Sequence, residues 1–299
     1  MKQLQGKTAF VTGGASGIGL GMARCFLREG MQVVVADLSE EHLAQARDEL
    51  REFGSRVHWM RLDVADRAAM AAAAAQAEAA FGKVHVLCNN AGVSSPIPMD
   101  EAGYEDWDWI LGVNLNGVIN GIVSFLPALK RHGEGGHIVN TSSIAGLVPA
   151  PAWGGIYSTS KFAVHGLSGS LRLSLGKHGI GVSVLCPGAT RSNVRDSERL
   201  RPAQYAKQAR APEPMPSLQE IGVDPLLIGE RVVRAILRNE FYVIAHAENK
   251  AHVRAFVQEM LAAFPDEEVT DEGRLSYIRW FDQATAQALA LQPLRDGPG

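Results

Sequence analysis

The sequence contains few cysteines and little excess charge of either sign. Its three cysteines, Cys25, Cys88 and Cys186, are scattered along 299 residues, which excludes a disulfide framework or a zinc site. The 29 basic residues nearly balance the 32 acidic ones, so the charge indicates no nucleic-acid-binding surface. We therefore expect no bound metal and no nucleic-acid partner, and we expect buried reduced thiols at Cys88 and Cys186, which each end an apolar segment.

Features of export or membrane insertion are also missing. The N-terminal stretch MKQLQGK leads directly into a strand-like segment, without the long apolar core of a signal peptide. Residues 109–126 carry no charge, but three asparagines, a serine and three glycines interrupt them, whereas membrane spans are predominantly apolar. We expect a cytoplasmic protein that does not associate with a membrane.

Short apolar segments alternate with longer amphipathic ones along the chain. The apolar segments are nearly continuous, as in strands that are buried on both faces of a parallel sheet. The predicted strands are Thr8–Val11, Gln32–Ala36, Val57–Leu62, Val84–Cys88, His137–Thr141, Gly181–Leu185 and Tyr242–Ala245. Predicted helices between them include Gly17–Glu29, Glu40–Glu52 and Arg67–Phe81. The alternation predicts an α/β fold: a doubly wound parallel sheet of about seven strands with helices on both faces.

We expect a single domain over residues 1–299, because no linker rich in proline, glycine or serine divides the chain before about residue 201. Residues 201–216 contain four prolines and fall within about 193–222, which we interpret as a lid over the substrate. Residues from about 264 to 299 form a C-terminal extension. The lid carries five basic residues, Arg195, Arg199, Arg201, Lys207 and Arg210. We expect these to face solvent, with recognition of an anionic substrate group as the alternative.

A glycine-rich turn follows the first predicted strand and opens the first predicted helix. Within Thr12–Gly19, the glycines Gly13, Gly17 and Gly19 let backbone N–H groups approach a pyrophosphate at the helix N-terminus. Asp37, at the end of the second strand, is placed to accept hydrogen bonds from the adenosine ribose and to repel a 2′-phosphate. A plain tight turn and a helix cap at Asp37 are the alternatives. Together these features predict NAD as the cofactor.

Asp63 and Val64 follow the third predicted strand and are further candidates for this site. The carboxylate of Asp63 would lie near the adenine amino group. A helix N-cap at Asp63 is the alternative interpretation.

Tyr157 and Lys161 form a candidate pair for proton transfer. They lie four residues apart, so both project from one face of a predicted helix. Oxidation of an alcohol needs a base for the hydroxyl proton, and reduction of a ketone needs the same group as an acid. The tyrosine pKa of about 10 must fall by roughly 3 units to serve near neutral pH. An adjacent ammonium and a positive nicotinamide have the sign needed to lower it, whereas a half-exposed tyrosine beside a surface lysine is the alternative.

The ordered set of motifs resembles the short-chain dehydrogenase/reductase family over roughly residues 5–195. It comprises Thr12–Gly19, Asn89–Gly92, Asn114, Ser143, Tyr157, Lys161, Pro187 and Gly188. The resemblance implies a Rossmann-type fold and an NAD-dependent oxidoreductase acting on a secondary alcohol. In this family the catalytic serine is the second of such a pair, which favours Ser143 over Ser142.

The same resemblance implies roles for other residues. Asn114 would bind a water that links the lysine to solvent, with a side chain that satisfies local backbone as the alternative. Asn90 would order the strand ends and contact the adenosine ribose. Ser192 replaces the usual threonine of a segment that clamps the nicotinamide carboxamide, and Thr190 stands where an aliphatic residue is usual. The predicted cofactor-binding residues are Gly13, Ser16, Gly17, Ile18, Gly19, Asp37, Asp63, Val64, Asn90, Ala91, Gly92, Tyr157, Lys161, Pro187, Gly188 and Ser192.

Apolar loops at the strand ends predict a bulky apolar or aromatic secondary alcohol or ketone as substrate. Pro149 and Trp153 join Ser143 and Tyr157 as predicted pocket residues, although packing contacts would explain the same residue types. The lid, the C-terminal extension and Tyr242–Glu248 resemble bacterial dehydrogenases that oxidise benzylic alcohols of lignin-derived aryl ethers. Steroid, terpenoid and other cyclic alcohols remain open.

Two other functions are compatible with the fold. An NADPH-dependent ketone or imine reductase is one, and Asp37 argues against it. A non-catalytic binding protein is the other, and the intact set of Asn114, Ser143, Tyr157 and Lys161 argues against it.

Two predicted helices carry more apolar surface than one sheet can bury. Apolar side chains lie nearly all round the helix Trp107–Leu129, and several lie off the main apolar face of the helix that begins at Tyr157. We therefore expect a homo-oligomer, either a dimer or the tetramer that is frequent in the family. The alternative is that the tail Arg274–Leu291 covers this surface within one chain.

Overall fold

A sheet of seven parallel strands organises the protein, in the order β3-β2-β1-β4-β5-β6-β7. The computed structural model describes residues 1–206 and 216–292. The strands are β1 (Thr8–Thr12), β2 (Gln32–Asp37), β3 (Val57–Arg61), β4 (Val86–Asn89), β5 (Gly136–Thr141), β6 (Ile180–Leu185) and β7 (Tyr242–Val243). The predicted fold class is confirmed, and every predicted strand is present with its ends shifted by two residues or fewer.

Helices connect the strands and cover both faces of the sheet. They are α1 (Gly17–Arg28), α2 (Glu40–Glu49), α3 (Arg67–Phe81), α4 (Tyr104–Leu111), α5 (Gly117–Arg131), α6 (Gly155–Leu175), α7 (Leu218–Ile221), α8 (Pro225–Arg238), α9 (Lys250–Ala262) and α10 (Glu272–Ala290). The prediction of a helix through Glu52 was wrong at its end. The chain leaves the α-helix at Glu49 and passes through a 3₁₀ segment, where Gly54 adopts a φ of +53° before β3 begins.

The two faces bury separate hydrophobic cores. On one face, α1 and α8 pack against the sheet, and their axes approach closely because glycines line the contact. A Cβ on Gly21 would lie 2.3 Å from the carbonyl oxygen of Pro225, and one on Gly229 would lie 2.5 Å from that of Gly21. On the other face, Phe10 of β1 contacts Phe125 of α5, with ring centroids 4.5 Å apart. A sheet buried on both faces accounts for its continuously apolar strands.

The helical stretch Tyr104–Arg131 is long and apolar enough to cross a membrane by length and composition alone, and half of its most apolar window is buried within the protein. The single helix predicted there is in fact interrupted by a π-turn at Gly112–Asn116, which joins α4 to α5. The stretch packs against α3, α6 and the sheet. Its apolar character is thus partly explained by burial inside this fold.

The edge where the carboxyl ends of the strands meet positions the candidate site. β1 lies between β2 and β4, so the connections from β1 and from β4 leave in opposite directions. In open α/β sheets, ligands bind in the crevice at this reversal point. Asp37, Asn89 and Thr141 are the last residues of β2, β4 and β5, and all three end at this edge.

A buried histidine in the middle of the sheet should make the stability of the fold depend on pH. His137 is fully buried, and its Nε2 donates to the Ser183 hydroxyl at 2.8 Å, because the Ser183 proton is already donated to the Glu240 carbonyl. Burial lowers the pKa of His137 to about 3. The unfolded chain binds a proton below a pH of about 6.5 while the folded chain does not, so stability is lost as pH falls from about 6.5 towards 3.

We expect the free energy of unfolding at pH 5 to be about 2 kcal/mol lower than at pH 8 through this group alone. Urea denaturation across this range measures the slope. The variant His137→Gln should flatten it, whereas His178→Gln, at an exposed histidine, should leave it unchanged. An identical slope in His137→Gln and the wild type would contradict the assignment.

Candidate active site

One continuous cleft runs along the carboxyl ends of the strands, from the end of β2 to the lid. The glycine turn, the ends of β4 and β5, the loop after β6 and residues of the lid all line it. The predicted residues that line it are Gly13, Ser16, Ile18, Asp37, Asp63, Val64, Asn90, Ala91, Gly92, Ser143, Tyr157, Lys161, Pro187, Gly188 and Ser192. The structure therefore brings most of the predicted site residues together on one surface.

Gly17 and Gly19 shape the turn rather than the wall of the cleft. A Cβ on Gly19 would lie 1.9 Å from the carbonyl oxygen of Gly13, so only glycine lets the helix start pack onto the turn. Gly17 adopts a φ of +47°, and its Cβ would lie 2.9 Å from the Cβ of Ser192. Gly19 thus allows the turn to close on itself, and Gly17 allows the loop after β6 to approach the turn.

The N-terminus of α1 offers hydrogen-bond donors to the cleft. Ser16 is the N-cap residue, and within the described part of the chain its hydroxyl caps none of the first N–H groups. The first turn of α1 contains no acidic side chain. The unpaired N–H groups and the positive end of the helix dipole suit a diphosphate group. The residues present therefore fit the pyrophosphate of a dinucleotide.

Asp37 is held in place by two backbone N–H groups. Its carboxylate accepts from the N–H of Ala15 at 3.2 Å and from that of Ser39 at 3.0 Å, and the residue is 7% exposed. The structure does not support the alternative that Asp37 caps the next helix, since the Ser39 hydroxyl caps α2. The carboxylate is therefore fixed at the cleft, where it can accept ribose hydroxyl protons and repel a phosphate.

Asp63 and Val64 lie on the same side of the cleft as Asp37. The carboxylate of Asp63 accepts from the N–H of Ala65 at 2.9 Å, which orients it within a local turn. The alternative of a helix N-cap at Asp63 was wrong, because the Asp66 carboxylate caps α3 through two backbone N–H groups.

The side chain of Asn90 forms hydrogen bonds that connect the ends of three strands. Its amide nitrogen donates to the carbonyls of Thr12 and Gly13, at 3.0 and 3.3 Å, and its amide oxygen accepts from the Thr141 hydroxyl at 3.3 Å. These contacts connect the ends of β1, β4 and β5. Asn90 thereby orders the floor of the cleft, as the sequence predicts.

The two serines after β5 have different partners. Ser142 donates its hydroxyl proton to the carbonyl of Lys161 at 2.7 Å, so its side chain is turned towards the backbone of α6. Ser143 lines the cleft and forms a side-chain hydrogen bond with Tyr157. Its hydroxyl also lies 3.4 Å from the carbonyl of Pro187. Ser143 is therefore the serine placed to contact an oxygen that reaches Tyr157.

Lys161 is buried beside Tyr157. Its Nζ donates to the carbonyl of Thr141 at 2.9 Å and lies 5.5 Å from the centre of the Tyr157 ring. Burial lowers the pKa of Lys161 to about 8. Burial also raises the pKa of Tyr157, and the hydrogen bond with Ser143 opposes this only in part. In this chain the pKa of Tyr157 therefore lies above its ordinary value, and the lowering expected from sequence is absent.

Asn114 lies at the π-turn between α4 and α5 and is fully buried. Its amide nitrogen donates to the carbonyl of Val93 at 2.9 Å and to the Ser160 hydroxyl at 3.0 Å, and its amide oxygen accepts from the N–H of Val93 at 2.8 Å. Both amide hydrogens are therefore engaged by protein groups. The side chain fastens the loop after β4 to α6, next to the lysine.

The structure places Pro149 and Trp153, both predicted as pocket residues, away from the cleft described above. Neither is among the described residues that line the cleft. The loop before α6 is held by Ser158, whose hydroxyl donates to the carbonyl of Ala145 at 2.6 Å and accepts from the N–H of Ala150 at 3.2 Å. Apolar and aromatic residues of α4, the lid and α7 do line the cleft, namely Trp109, Leu200, Pro202, Tyr205 and Leu218.

Arg201 fastens the lid to α4. Its guanidinium lies 2.5 Å from the carboxylate of Asp106, donates to the carbonyl of Tyr205 at 2.7 Å and stacks 4.9 Å above the Trp109 ring. The expectation that Arg201 faces solvent was wrong, because its side chain is 7% exposed. Arg195 and Arg199 are exposed, and the predictions for Lys207 and Arg210 lie outside the described residues.

Comparison with known proteins gives consistent matches. The model of the short chain dehydrogenase family matches residues 7–203. C alpha-dehydrogenase of Sphingobium sp. (strain NBRC 103272 / SYK-6) is 40% identical over 279 residues, which cover 91% of each chain. 3beta-hydroxysteroid dehydrogenase 2 of Eggerthella lenta is 38% identical over 192 residues, covering 64% of this chain and 74% of that one. A short chain dehydrogenase/reductase of Burkholderia phymatum in complex with NAD is 35% identical, with a TM-score of 0.82, and covers 91% and 100% of the two chains.

Proposed function

This chain belongs to the short-chain dehydrogenase family, and on that premise we propose that it is an NAD-dependent alcohol dehydrogenase. Its substrate is a bulky apolar or aromatic secondary alcohol, or the corresponding ketone in the reverse direction. The observation that carries the proposal is the contact of Ser143, Tyr157 and Lys161 within one cleft that also contains the fixed carboxylate of Asp37. The name of the Sphingobium relative supports a dehydrogenase of this kind.

In the proposed mechanism, Tyr157 takes the hydroxyl proton of the alcohol as the bond from hydrogen to the carbinol carbon breaks. Ser143 donates a hydrogen bond to the same substrate oxygen and stabilises the charge that develops there. Lys161 places an ammonium group beside Tyr157 and favours its ionised form. Bound NAD supplies the acceptor for the hydride. For ketone reduction, Tyr157 returns its proton to the oxygen.

The apolar and aromatic residues of α4, the lid and α7 that line the cleft support an aromatic substrate over a small one. We expect kcat/KM for 1-phenylethanol to exceed that for propan-2-ol at least tenfold, because each buried apolar group adds about 1–3 kcal/mol of transition-state binding. NADH absorbance measured across a panel of secondary alcohols tests this, and a 3-hydroxysteroid in the same panel tests the alternative that the Eggerthella relative suggests. If none of these alcohols gave NADH, the proposed function would be contradicted.

We also propose that the protein assembles into a dimer or tetramer through α5 and α6. Val123 and Ile119 of α5 remain 66% and 37% exposed. The tail does not cover them, because none of the described residues of α10 is buried and Gln292 instead contacts the carbonyl of Arg172 in α6. A second copy of the chain would bury this apolar face.

Light scattering tests the assembly directly. We expect a mass of two or four chains of 32.1 kDa at micromolar concentration. Val123→Glu places a charge in the proposed interface and should shift the mass towards one chain, while the isosteric Val123→Thr should shift it less. A wild-type protein that scatters as a single chain would rule out the assembly.

A cytoplasmic location completes the proposal. All three cysteines are free and buried, which is compatible with a reducing compartment. Cell fractionation with an antibody against the protein tests the location.

A further inference from the structure

A buried histidine that the sequence analysis did not single out contacts the loop after β6. His246 follows β7, is 2% exposed and lies beyond the segment that the family model matches. Its Nδ1 lies 2.9 Å from the N–H of Gly188, and its Nε2 lies 3.0 Å from the carbonyl oxygen of Ala189. A neutral ring with its proton on Nε2 satisfies both contacts, since it accepts from Gly188 and donates to Ala189.

The loop is shaped to receive this ring. A Cβ on Gly188 would lie 2.9 Å from two carbons of the His246 ring, so glycine is required for the ring to pack so closely. Thr190, the residue for which the sequence offered no explanation, is 2% exposed, and its hydroxyl donates to the carbonyl of Gly188 at 3.3 Å. The same hydroxyl lies 3.5 Å from Nε2 of His246. The threonine hydroxyl thus adds polar contacts with Gly188 and His246 that an aliphatic side chain could not form.

The loop after β6, which His246 contacts, lines the end of the cleft that contains Ser143 and Tyr157. Pro187, Gly188, Thr190 and Ser192 all line the cleft. The carbonyl of Pro187 accepts from the backbone N–H of Ile144 at 3.0 Å and lies 3.4 Å from the Ser143 hydroxyl. A shift of this loop therefore moves one wall of the space beside Ser143 and Tyr157.

We infer that His246 is a positioning residue that fixes the loop after β6 against the nicotinamide half of the cofactor, with Thr190 as its partner. The inference rests on the proposed function, because hydride transfer beside Ser143 and Tyr157 requires the nicotinamide ring at the end of the cleft that this loop lines. His246 itself does not line the cleft among the described residues, so it acts through Gly188, Ala189 and Thr190. Among the described residues, Asp37 and Asp63, which bound the proposed adenosine end of the cleft, form none of these contacts.

Binding of two ligands separates this role from a general structural one. NADH carries both halves of the cofactor, whereas ADP-ribose lacks the nicotinamide ring. In His246→Phe, which keeps a ring but removes both hydrogen bonds, we expect NADH to bind at least tenfold more weakly. ADP-ribose should bind within about twofold of the wild-type affinity. Without the two hydrogen bonds to His246, the loop must be ordered when NADH binds, and a cost of about 0.5–1.5 kcal/mol for each lost bond accounts for a change of this size.

Further variants check that the effect follows the hydrogen bonds. His246→Asn restores an acceptor near the position of Nδ1 and should recover part of the NADH affinity. Thr190→Val, which removes only the hydroxyl, should weaken NADH binding by about twofold to fivefold, as expected for one hydrogen bond of 0.5–1 kcal/mol. His252→Phe, at an exposed histidine of α9, is the matched control and should leave both affinities unchanged.

Isothermal titration of the full chain with NADH and with ADP-ribose gives both affinities, and thermal unfolding in the same buffer reports on folding. Equal weakening of both ligands in His246→Phe, or no weakening of NADH, would overturn the inference. If His246→Phe does not fold, the Asn and Val variants decide by the same comparison. A wild-type protein that binds neither ligand would instead refute the proposed function, so the two failures are distinguishable.

Discussion

Tyr157→Phe is expected to lower kcat by at least ~100-fold, because it removes the group that transfers the proton. The phenyl ring keeps the packing of α6 against the cleft, so the affinity for the cofactor should change little. Steady-state kinetics on the best alcohol of the panel, at saturating NAD, measures the loss. Tyr104→Phe, at a tyrosine that is 87% exposed on α4, is the matched control and should turn over like the wild type.

Lys161→Ala should lower kcat to a similar extent, through a different route. Without the ammonium, burial raises the pKa of Tyr157 and only the hydrogen bond with Ser143 opposes this. In alcohol oxidation Tyr157 must be deprotonated to act as the base, so the acidic limb of the pH–rate profile should move to higher pH in this variant. Near wild-type turnover in Tyr157→Phe would rule out the mechanism, while a normal pH profile in Lys161→Ala would rule out only the role given to the lysine.

NAD should be preferred over NADP by at least ~100-fold in kcat/KM, because a like-charge contact with the 2′-phosphate costs several kcal/mol. The charge responsible is the Asp37 carboxylate, held by the N–H groups of Ala15 and Ser39. Titration with both cofactors, using one alcohol, measures the ratio. Equal or better use of NADP would contradict the assignment and would favour the NADPH-dependent reductase.

Two variants at this position separate charge from hydrogen bonding. Asp37→Ala removes both, so it should relax the preference and also weaken NAD binding. Asp37→Asn keeps an oxygen that accepts from Ala15 or Ser39 but loses the charge. We expect Asp37→Asn to gain activity with NADP while it retains more of the NAD activity than Asp37→Ala.

Local patterns were sufficient to predict the framework of the site. Buried strands of a parallel sheet are continuously apolar, so their positions were visible in the sequence. Residues at the carboxyl ends of those strands, such as Asp37 and Asn90, necessarily meet at one edge of the sheet. Ser143 and Ser142 are adjacent, and the structure separates them because consecutive residues of an extended chain point in opposite directions.

The parts that sequence did not predict depend on partners far apart in the chain. Arg201 was expected in solvent, but its ion partner Asp106 lies 95 residues away. Pro149 and Trp153 were expected in the pocket, but Ser158 holds their loop against α6. His246 has backbone partners 57 and 58 residues away, so no local sequence pattern predicts its role.

We propose that a hydride passes from the carbinol carbon of a secondary alcohol to NAD at the cleft that contains Tyr157. The most direct measurement follows a deuterium label. The alcohol of the panel that reacts fastest is prepared with deuterium on its carbinol carbon and oxidised with NAD, and the reduced cofactor is analysed by mass spectrometry and NMR. We predict reduced NAD that carries the deuterium at C4 of the nicotinamide ring, formed together with the ketone. Reduced cofactor without deuterium, or ketone formed without reduced cofactor, would contradict the claim.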